Sequence, residues 1–185
     1  MLLPSGARPR VRGWRRPGSL EHKRRSRQVI EKPVPADSDE IVRLIERAGV
    51  FGPMDVECVR ELLRDYFCLP DRGGYEFLIY RRDGHILGMA CYGHTPLTEG
   101  TFDLYWLCVA PEGRRAGIGR TLMAEVEAAI HQAGGRLLVV ETSGTPAYRP
   151  AREFYQASGF RRQATIPDFY SPGDDLVIYT KRFDT

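Results

Sequence analysis

The sequence predicts an α/β fold: a mixed sheet, antiparallel over its first strands, containing one parallel strand pair and carrying helices on both faces. Three observations predict it. Phe102–Val109 is an aromatic and apolar run, followed by a glycine loop, a helix-period pattern at Ile118, Leu122, Val126, Ile130 and Ala133, and a second apolar run at Arg136–Glu141. Strand, helix and strand in that order imply a parallel pair. Tyr75–Tyr80 and Ile86–Tyr92 flank Asp83-Gly84, a turn dipeptide that marks an antiparallel hairpin. Phe160–Thr165 and Leu176–Arg182 form a closing hairpin.

The elements follow in order. Gln28–Lys32 is a short first strand. Asp37-Ser38 offers an N-cap, and Ile41, Leu44, Ile45 and Ala48 mark one face of the helix after it. Pro53 opens a second helix through Val56, Val59, Leu63, Tyr66 and Phe67, which Pro70 ends. Gly93–Gly100 links the hairpin to the central strand, with His94 as a polar loop residue. Pro111 ends that strand, since proline cannot donate to a ladder. Gly134-Gly135 closes the long helix. Arg136–Glu141 is apolar on both faces and so reads as a buried strand. Pro150 starts a short helix ending at Gly159, and Ile166–Asp175 is expected to be a long aromatic loop.

At 185 residues the chain is expected to hold one domain, residues 28–185, behind a basic tail over residues 1–27. The tail carries nine Lys and Arg against Glu21, so it holds +8 and the remainder −5 of the total of +3. Its prolines and glycines and its lack of apolar period read as disorder. Nucleic-acid or ribosome contact through phosphates, a transit-like role, and a solvated extension without a role all fit it; the last is the favoured reading. No apolar run approaches a membrane span, which argues against membrane association. Cys58, Cys68, Cys91 and Cys108 show no metal or redox spacing, which suggests reduced thiols and a cytoplasmic location. Cys108, inside a buried strand, reads as packing rather than a nucleophile.

Arg114-Arg115-Ala116-Gly117-Ile118-Gly119 joins the central strand to the helix. Its glycines admit close approach to the backbone, and the first helical turn presents free N–H groups with the positive end of the dipole. That suits an anion, a pyrophosphate above all, with Arg114, Arg115 and Arg120 adding charge. A plain glycine turn before a surface helix is the simpler alternative. A dinucleotide fingerprint fits weakly, because Leu122 stands at the third glycine position, although Glu141 falls where a ribose-binding acid is expected. A P-loop fails, because Gly119 is followed by Arg120-Thr121 with no Lys-Ser/Thr pair at the required offset.

Val109–Gly119 resembles motif A of the GCN5-related N-acetyltransferases, with Arg114, Gly117 and Gly119 at the fixed positions of Arg/Gln-x-x-Gly-x-Gly/Ala. Ala151–Phe160 resembles motif B of that family, in the expected order and at the expected separation. The resemblance spans roughly residues 28–183 and is sharp from Thr101 onward. It implies a fold whose parallel strands splay to admit acetyl-CoA. The pyrophosphate would lie on the amides of Arg115, Ala116, Gly117, Ile118, Gly119 and Arg120. The pantetheine would run beside the backbone of Leu107, Cys108 and Val109 like an added strand, where an amide would polarise the thioester oxygen. The first two helices would flank the acceptor cleft.

The resemblance also implies roles. Tyr155 stands at the position of the general-acid tyrosine, and Ala151, four residues earlier on the same helix face, leaves room for the cofactor. Asp103 and Glu141 match carboxylates that serve as bases in histone-type and ribosomal-protein members respectively. One position departs: Tyr148 stands where the form Asn-x-x-Ala-x-x-x-Tyr has Asn, which puts the usual amide contact to the cofactor in question. The expected function is acetyl-CoA-dependent transfer of an acetyl group to a primary amine of a small molecule or amino acid, by direct attack in a ternary complex. Acetylation of a protein N-terminus or lysine, and a non-catalytic acyl-CoA-binding module, are the alternatives. No metal is implied, and the sequence leaves a homodimer open.

Overall fold

The computed structural model describes residues 27–69 and 74–183, so the expected disordered tail, apart from Arg27, lies outside the described residues, as does the helix stop at Pro70. A seven-stranded sheet runs in the order β1-β2-β3-β4-β5-β7-β6. Its strands are β1 (Gln28–Glu31), β2 (Tyr75–Arg82), β3 (His85–His94), β4 (Thr101–Val109), β5 (Leu137–Ser143), β6 (Arg161–Ser171) and β7 (Asp174–Arg182). The helices are α1 (Ser38–Ala48), α2 (Pro53–Cys68), α3 (Ile118–Gln132) and α4 (Arg149–Ala157). The β4–β5 pair is parallel and the others are antiparallel.

Each face of the sheet buries its own core. On one, Ile41, Leu44 and Ile45 of α1 and Val59 and Leu63 of α2 pack against Phe77, Ile79, Cys91 and Cys108. On the other, Met123, Val126 and Ile130 of α3 pack with Phe102, Leu104, Leu138 and Val140, and α4 adds Tyr155. Burial of these side chains is the main stabilising term. Gly88 lets α3 lie close to β3, since a Cβ there would come 2.9 Å from both Ile118 Cγ2 and Leu122 Cδ1.

Two irregularities in the sheet shape the site. In β4, Leu104 pairs with Tyr92 and Trp106 with Cys91, so Tyr105 is an extra residue, a β-bulge. Before the bulge Phe102 and Leu104 face α3; after it Cys108 faces α1. The second irregularity is an opening. β4 pairs with β5 only over Thr101–Leu104 with Leu137–Val140, although both strands continue. Beyond that point the parallel strands part.

Three expectations are corrected. Ile166–Asp175 is not a loop: β6 extends to Ser171 and turns through Pro172-Gly173 into β7. Pro167 is tolerated because β6 is an edge strand, and residues 167–170 bulge outward between the pairs Ile166–Leu176 and Ser171–Asp174. Asp37 holds the N-cap position of α1, but its side chain makes no cap hydrogen bond to that helix. Its carboxylate accepts the Val34 N–H at 3.0 Å, closing the 3-10 turn Pro35–Asp37, and its other oxygen accepts from Arg81 at 2.9 Å. His94 is the last residue of β3 rather than part of a loop, and its ring meets Phe102 edge-on.

Candidate active site

The candidate anion cradle forms at the start of α3. After the 3-10 turn Pro111–Gly113, Arg115 and Gly117 both take positive φ, +60° and +83°. The backbone N–H groups of Arg115, Gly117, Ile118, Gly119 and Arg120 meet no backbone acceptor among the described residues, as the open first turn of a helix requires. A Cβ at Gly117 would find open space, so the φ, not crowding, demands glycine there. Gly119 lies over Phe154 of α4, at 3.4 Å from a built Cβ. Arg115, Ala116, Gly117 and Arg120 are exposed, which leaves the cradle open to a ligand. Arg114 also reaches α1: its guanidinium donates one hydrogen bond to the Ala48 carbonyl at 2.6 Å, capping the C-terminal end of that helix.

The opening between β4 and β5 lies beside this cradle. Leu107 and Val109 are half-buried at its β4 margin, and Cys108 is buried between them. Burial pushes the Cys108 thiol up to about 12, with Arg114 and Arg47 pulling weakly the other way. A thiol so protonated is not a nucleophile at neutral pH. On the α3–α4 face, Tyr155 packs among Phe154, Phe160 and Tyr179, with ring centroids 5.7, 5.7 and 6.1 Å away. Burial holds its phenol well above the ordinary range. Ala151, one turn earlier, is half-buried against the same cluster.

The two carboxylates sit on the opposite face. Side chains alternate along a strand; Phe102 and Leu104 on β4, and Leu138 and Val140 on β5, face α3. Asp103 and Glu141 therefore share the α1–α2 face. Asp103 pairs laterally with Val139, so Glu141 stands one strand across and two residues along, about 8 Å away between Cα atoms. Thr95 Oγ1 donates to Asp103 at 2.7 Å. Glu141 is exposed, and its charge helps keep the Tyr170 phenol protonated, after the larger effect of burial.

The same face carries residues that the sequence did not single out for binding. Phe51, in the α1–α2 loop, stacks 5.1 Å from Trp106 of β4 and 6.4 Å from Tyr148, in the 3-10 turn Pro146–Tyr148 after β5. The Tyr148 hydroxyl donates to the Val50 carbonyl at 3.2 Å. The sequence signal for this bridge was the departure at Tyr148, where a cofactor-facing amide was expected. Below it, Arg152 donates to the carbonyls of Ser143 and Thr145, at 2.5 and 2.9 Å, and Ser143 Oγ donates to Asp174 at 2.6 Å. These bonds tie the end of β5 to α4 and β7.

Known proteins locate this arrangement. A family model for the acetyltransferase (GNAT) domain matches residues 73–162. No curated protein matches. A Desulfovibrio desulfuricans protein described as a GNAT-family acetyltransferase superposes with a TM-score of 0.82 at 39% identity, over 84% of this chain and 99% of its own. The ribosomal-protein-S18-alanine N-acetyltransferase of Escherichia coli superposes at 0.71 with 17% identity, over 86% and 96%. An aminoglycoside 6'-N-acetyltransferase complexed with coenzyme A does so at 0.67 with 16% identity, over 85% and 98%. The last two share the fold alone, and since one is named for a protein acceptor and the other for an aminoglycoside, the fold does not choose the acceptor. Identity of 39% across almost the whole of a family member, with the glycine motif at the mouth of a splayed parallel pair, establishes that the chain belongs to the GNAT acetyltransferase family.

Proposed function

We propose that this chain is an acetyl-CoA-dependent N-acetyltransferase acting on the primary amine of a small molecule or amino acid, by direct attack in a ternary complex. The observation that carries the reading is the opening between β4 and β5, which joins an anion cradle and Tyr155 on one face of the sheet to Asp103 and Glu141 on the other. The residues fit the cofactor. Five unpaired amides and two positive-φ positions make a cradle for a pyrophosphate, and the unpaired margin of β4 at Leu107, Cys108 and Val109 can pair with an extended pantetheine. Bound acetyl-CoA supplies an activated acyl carbon at its thioester.

The protein's own groups do the rest. Glu141 or Asp103, directly or through water, accepts a proton from the acceptor's ammonium. The amine nitrogen then attacks, and its new C–N bond forms as the C–S bond breaks. A backbone N–H of the β4 margin donates to the acyl oxygen as charge gathers there. Tyr155, kept protonated by burial, donates a hydrogen bond to the departing sulfur. A thiol is the stronger acid of the two, so the phenol chiefly stabilises developing negative charge on sulfur. As the amide forms, the nitrogen sheds a second proton, which neutralises the thiolate, while the first, taken by the carboxylate, returns to water.

The test is release of coenzyme A by the full-length protein across a panel of amines, amino acids and peptides, with products identified by mass spectrometry. Acetylated small amines support the reading. Acetylation of peptide N-termini or lysines alone transfers it to a protein acceptor, and binding of acetyl-CoA without turnover on any acceptor leaves only a binding module.

A further inference from the structure

The opening between β4 and β5 is bridged, on its α1–α2 face, by the rings of Trp106, Phe51 and Tyr148. Trp106 leaves β4 two residues past the last pairing with β5, and Tyr148 stands in the turn after β5. Phe51 thus spans the gap where the sheet itself is interrupted. All three residues are half-buried. Tyr105 adds a fourth ring nearby in β4, 40% exposed and edge-on to Tyr75.

The loop that carries Phe51 is fastened at two carbonyls. Arg114 Nη2 donates to Ala48 at 2.6 Å, and the Tyr148 hydroxyl donates to Val50 at 3.2 Å. Gly49, between them, takes φ +75° to leave the helix. Both anchors belong to elements of the donor site: Arg114 lies in the anion loop, and Tyr148 directly precedes the helix of Tyr155. Burial, followed by the charges of Asp55 and Asp174, raises the Tyr148 phenol, which keeps it a donor at neutral pH.

We propose that Phe51, set between Trp106 and Tyr148, selects the acceptor, and that the acceptor it admits is a primary amine on a flat apolar body, an arylalkylamine in chemical class. Arg114 and Tyr148 are positioning residues that hold Phe51 in place. The inference builds on the N-acetyltransferase reading above. Ring faces offer apolar area and edge-to-face partners to a flat ligand, and they receive an ammonium group favourably. Asp103 and Glu141 on the same face attract that charge. The Tyr148 hydroxyl is already given to Val50, and Thr95 Oγ1 to Asp103. A polyhydroxylated amine would surrender hydration along this wall with few groups to replace it.

The test compares two primary amines, 2-phenylethylamine and glucosamine. The chain has two tryptophans, so Trp14→Phe in the full-length protein leaves Trp106 as the single reporter at the bridge. Its emission is followed as each amine is added in the presence of coenzyme A, and acetyl transfer is measured separately. The expected result is a saturable emission change with 2-phenylethylamine and a kcat/KM about tenfold or more above that for glucosamine. Phe51→Ala then brings the two amines within about threefold of each other, Phe51→Tyr keeps the preference, and acetyl-CoA affinity by calorimetry stays within about twofold in both. Tyr148→Phe, which removes only the hydroxyl, raises KM for 2-phenylethylamine more than it lowers kcat; a merely structural role would instead lower thermal stability and leave KM alone. Equal use of both amines by the unmodified enzyme, or a parallel loss of acetyl-CoA affinity in Phe51→Ala, overturns the inference while acetyl transfer survives. Saturable binding of 2-phenylethylamine without transfer of acetyl to it or to any other amine overturns the enzymatic reading and keeps the selector. Neither binding nor transfer overturns both.

Discussion

Tyr155 and Cys108 lie near one opening and are both held protonated by burial, and the proposed reaction uses only the first in that state. A phenol proposed to donate to sulfur keeps its proton further into the alkaline range, where the amine is free, when its pKa is raised. Tyr155→Phe keeps the ring packing against Phe160 and Tyr179 and removes one donor, so kcat should fall tenfold or more while acetyl-CoA affinity and melting temperature hold. In the unmodified enzyme, kcat/KM should rise with pH as the amine loses its proton and show no falling limb up to about pH 10, because burial keeps Tyr155 protonated there. A falling alkaline limb that vanishes in Tyr155→Phe would contradict this. For Cys108 the same burial predicts silence. Burial raises its pKa and keeps it a thiol, so brief alkylation at pH 7.5 should label the exposed Cys58 and Cys68 and spare the buried Cys91 and Cys108. Mass spectrometry of the labelled peptides checks it.

At the scale of the element, the loop before α3 is the part most open to disruption. Gly117→Glu places a side chain in a φ +83° conformation that L residues rarely adopt, and sets a carboxylate against the amides of the cradle. Acetyl-CoA binding to the full-length variant should weaken by a hundredfold or more by calorimetry. Gly117→Asn, which tolerates positive φ, should lose far less. This element was legible in the sequence because its chemistry is backbone chemistry: glycine spacing and the helix start determine where the amides point. The strand–helix–strand unit and the Asp83-Gly84 hairpin were legible for the same reason, since local period and turn residues carry them. What stayed hidden was set by partners far along the chain. The basic residue Arg114 was expected to face an anion, and its hydrogen bond to Ala48, 66 residues away, could not be read from the local sequence. Tyr148 was visible only as a departure from a pattern, and its partner Val50 lies 98 residues away. Asp37 had the composition of a cap for α1, yet Arg81 and the Val34 amide take its oxygens. The β6–β7 hairpin was missed because Pro167 and a cluster of aspartates read as a loop, and only the strand's place at the sheet edge makes that composition acceptable.

For the molecule as a whole, the β4–β5 seam is a joint and, in the proposed function, a doorway. The core under α1 and α2 and the core under α3 and α4 lie on opposite faces, and the sheet between them is continuous except where these two strands part. Four residue pairs, Thr101–Leu104 with Leu137–Val140, hold the seam closed. Past them, each strand keeps its outer neighbour, β3 for β4 and β7 for β5, while its inner edge has no strand partner. Unpaired strand-edge amides next to a stable ladder are costly unless water or a ligand meets them. The molecule holds this edge open because the bulge at Tyr105 re-aims β4 and because Arg152 and Asp174 pin the end of β5 to α4 and β7. Hydrogen exchange should therefore divide the two strands. Amides in Thr101–Leu104 and Leu137–Val140 should be protected to near the level of global unfolding, while a subset in Tyr105–Val109 and Glu141–Ser143 exchanges faster. Coenzyme A should slow that second subset and the α3 start together, leaving β1 and β2 unchanged. If the inner edge is already protected without ligand, the seam is closed in solution and the doorway must open by a motion of α4. If coenzyme A protects only the α3 start, the pantetheine does not run along β4, and the assignment of Leu107, Cys108 and Val109 to its binding falls.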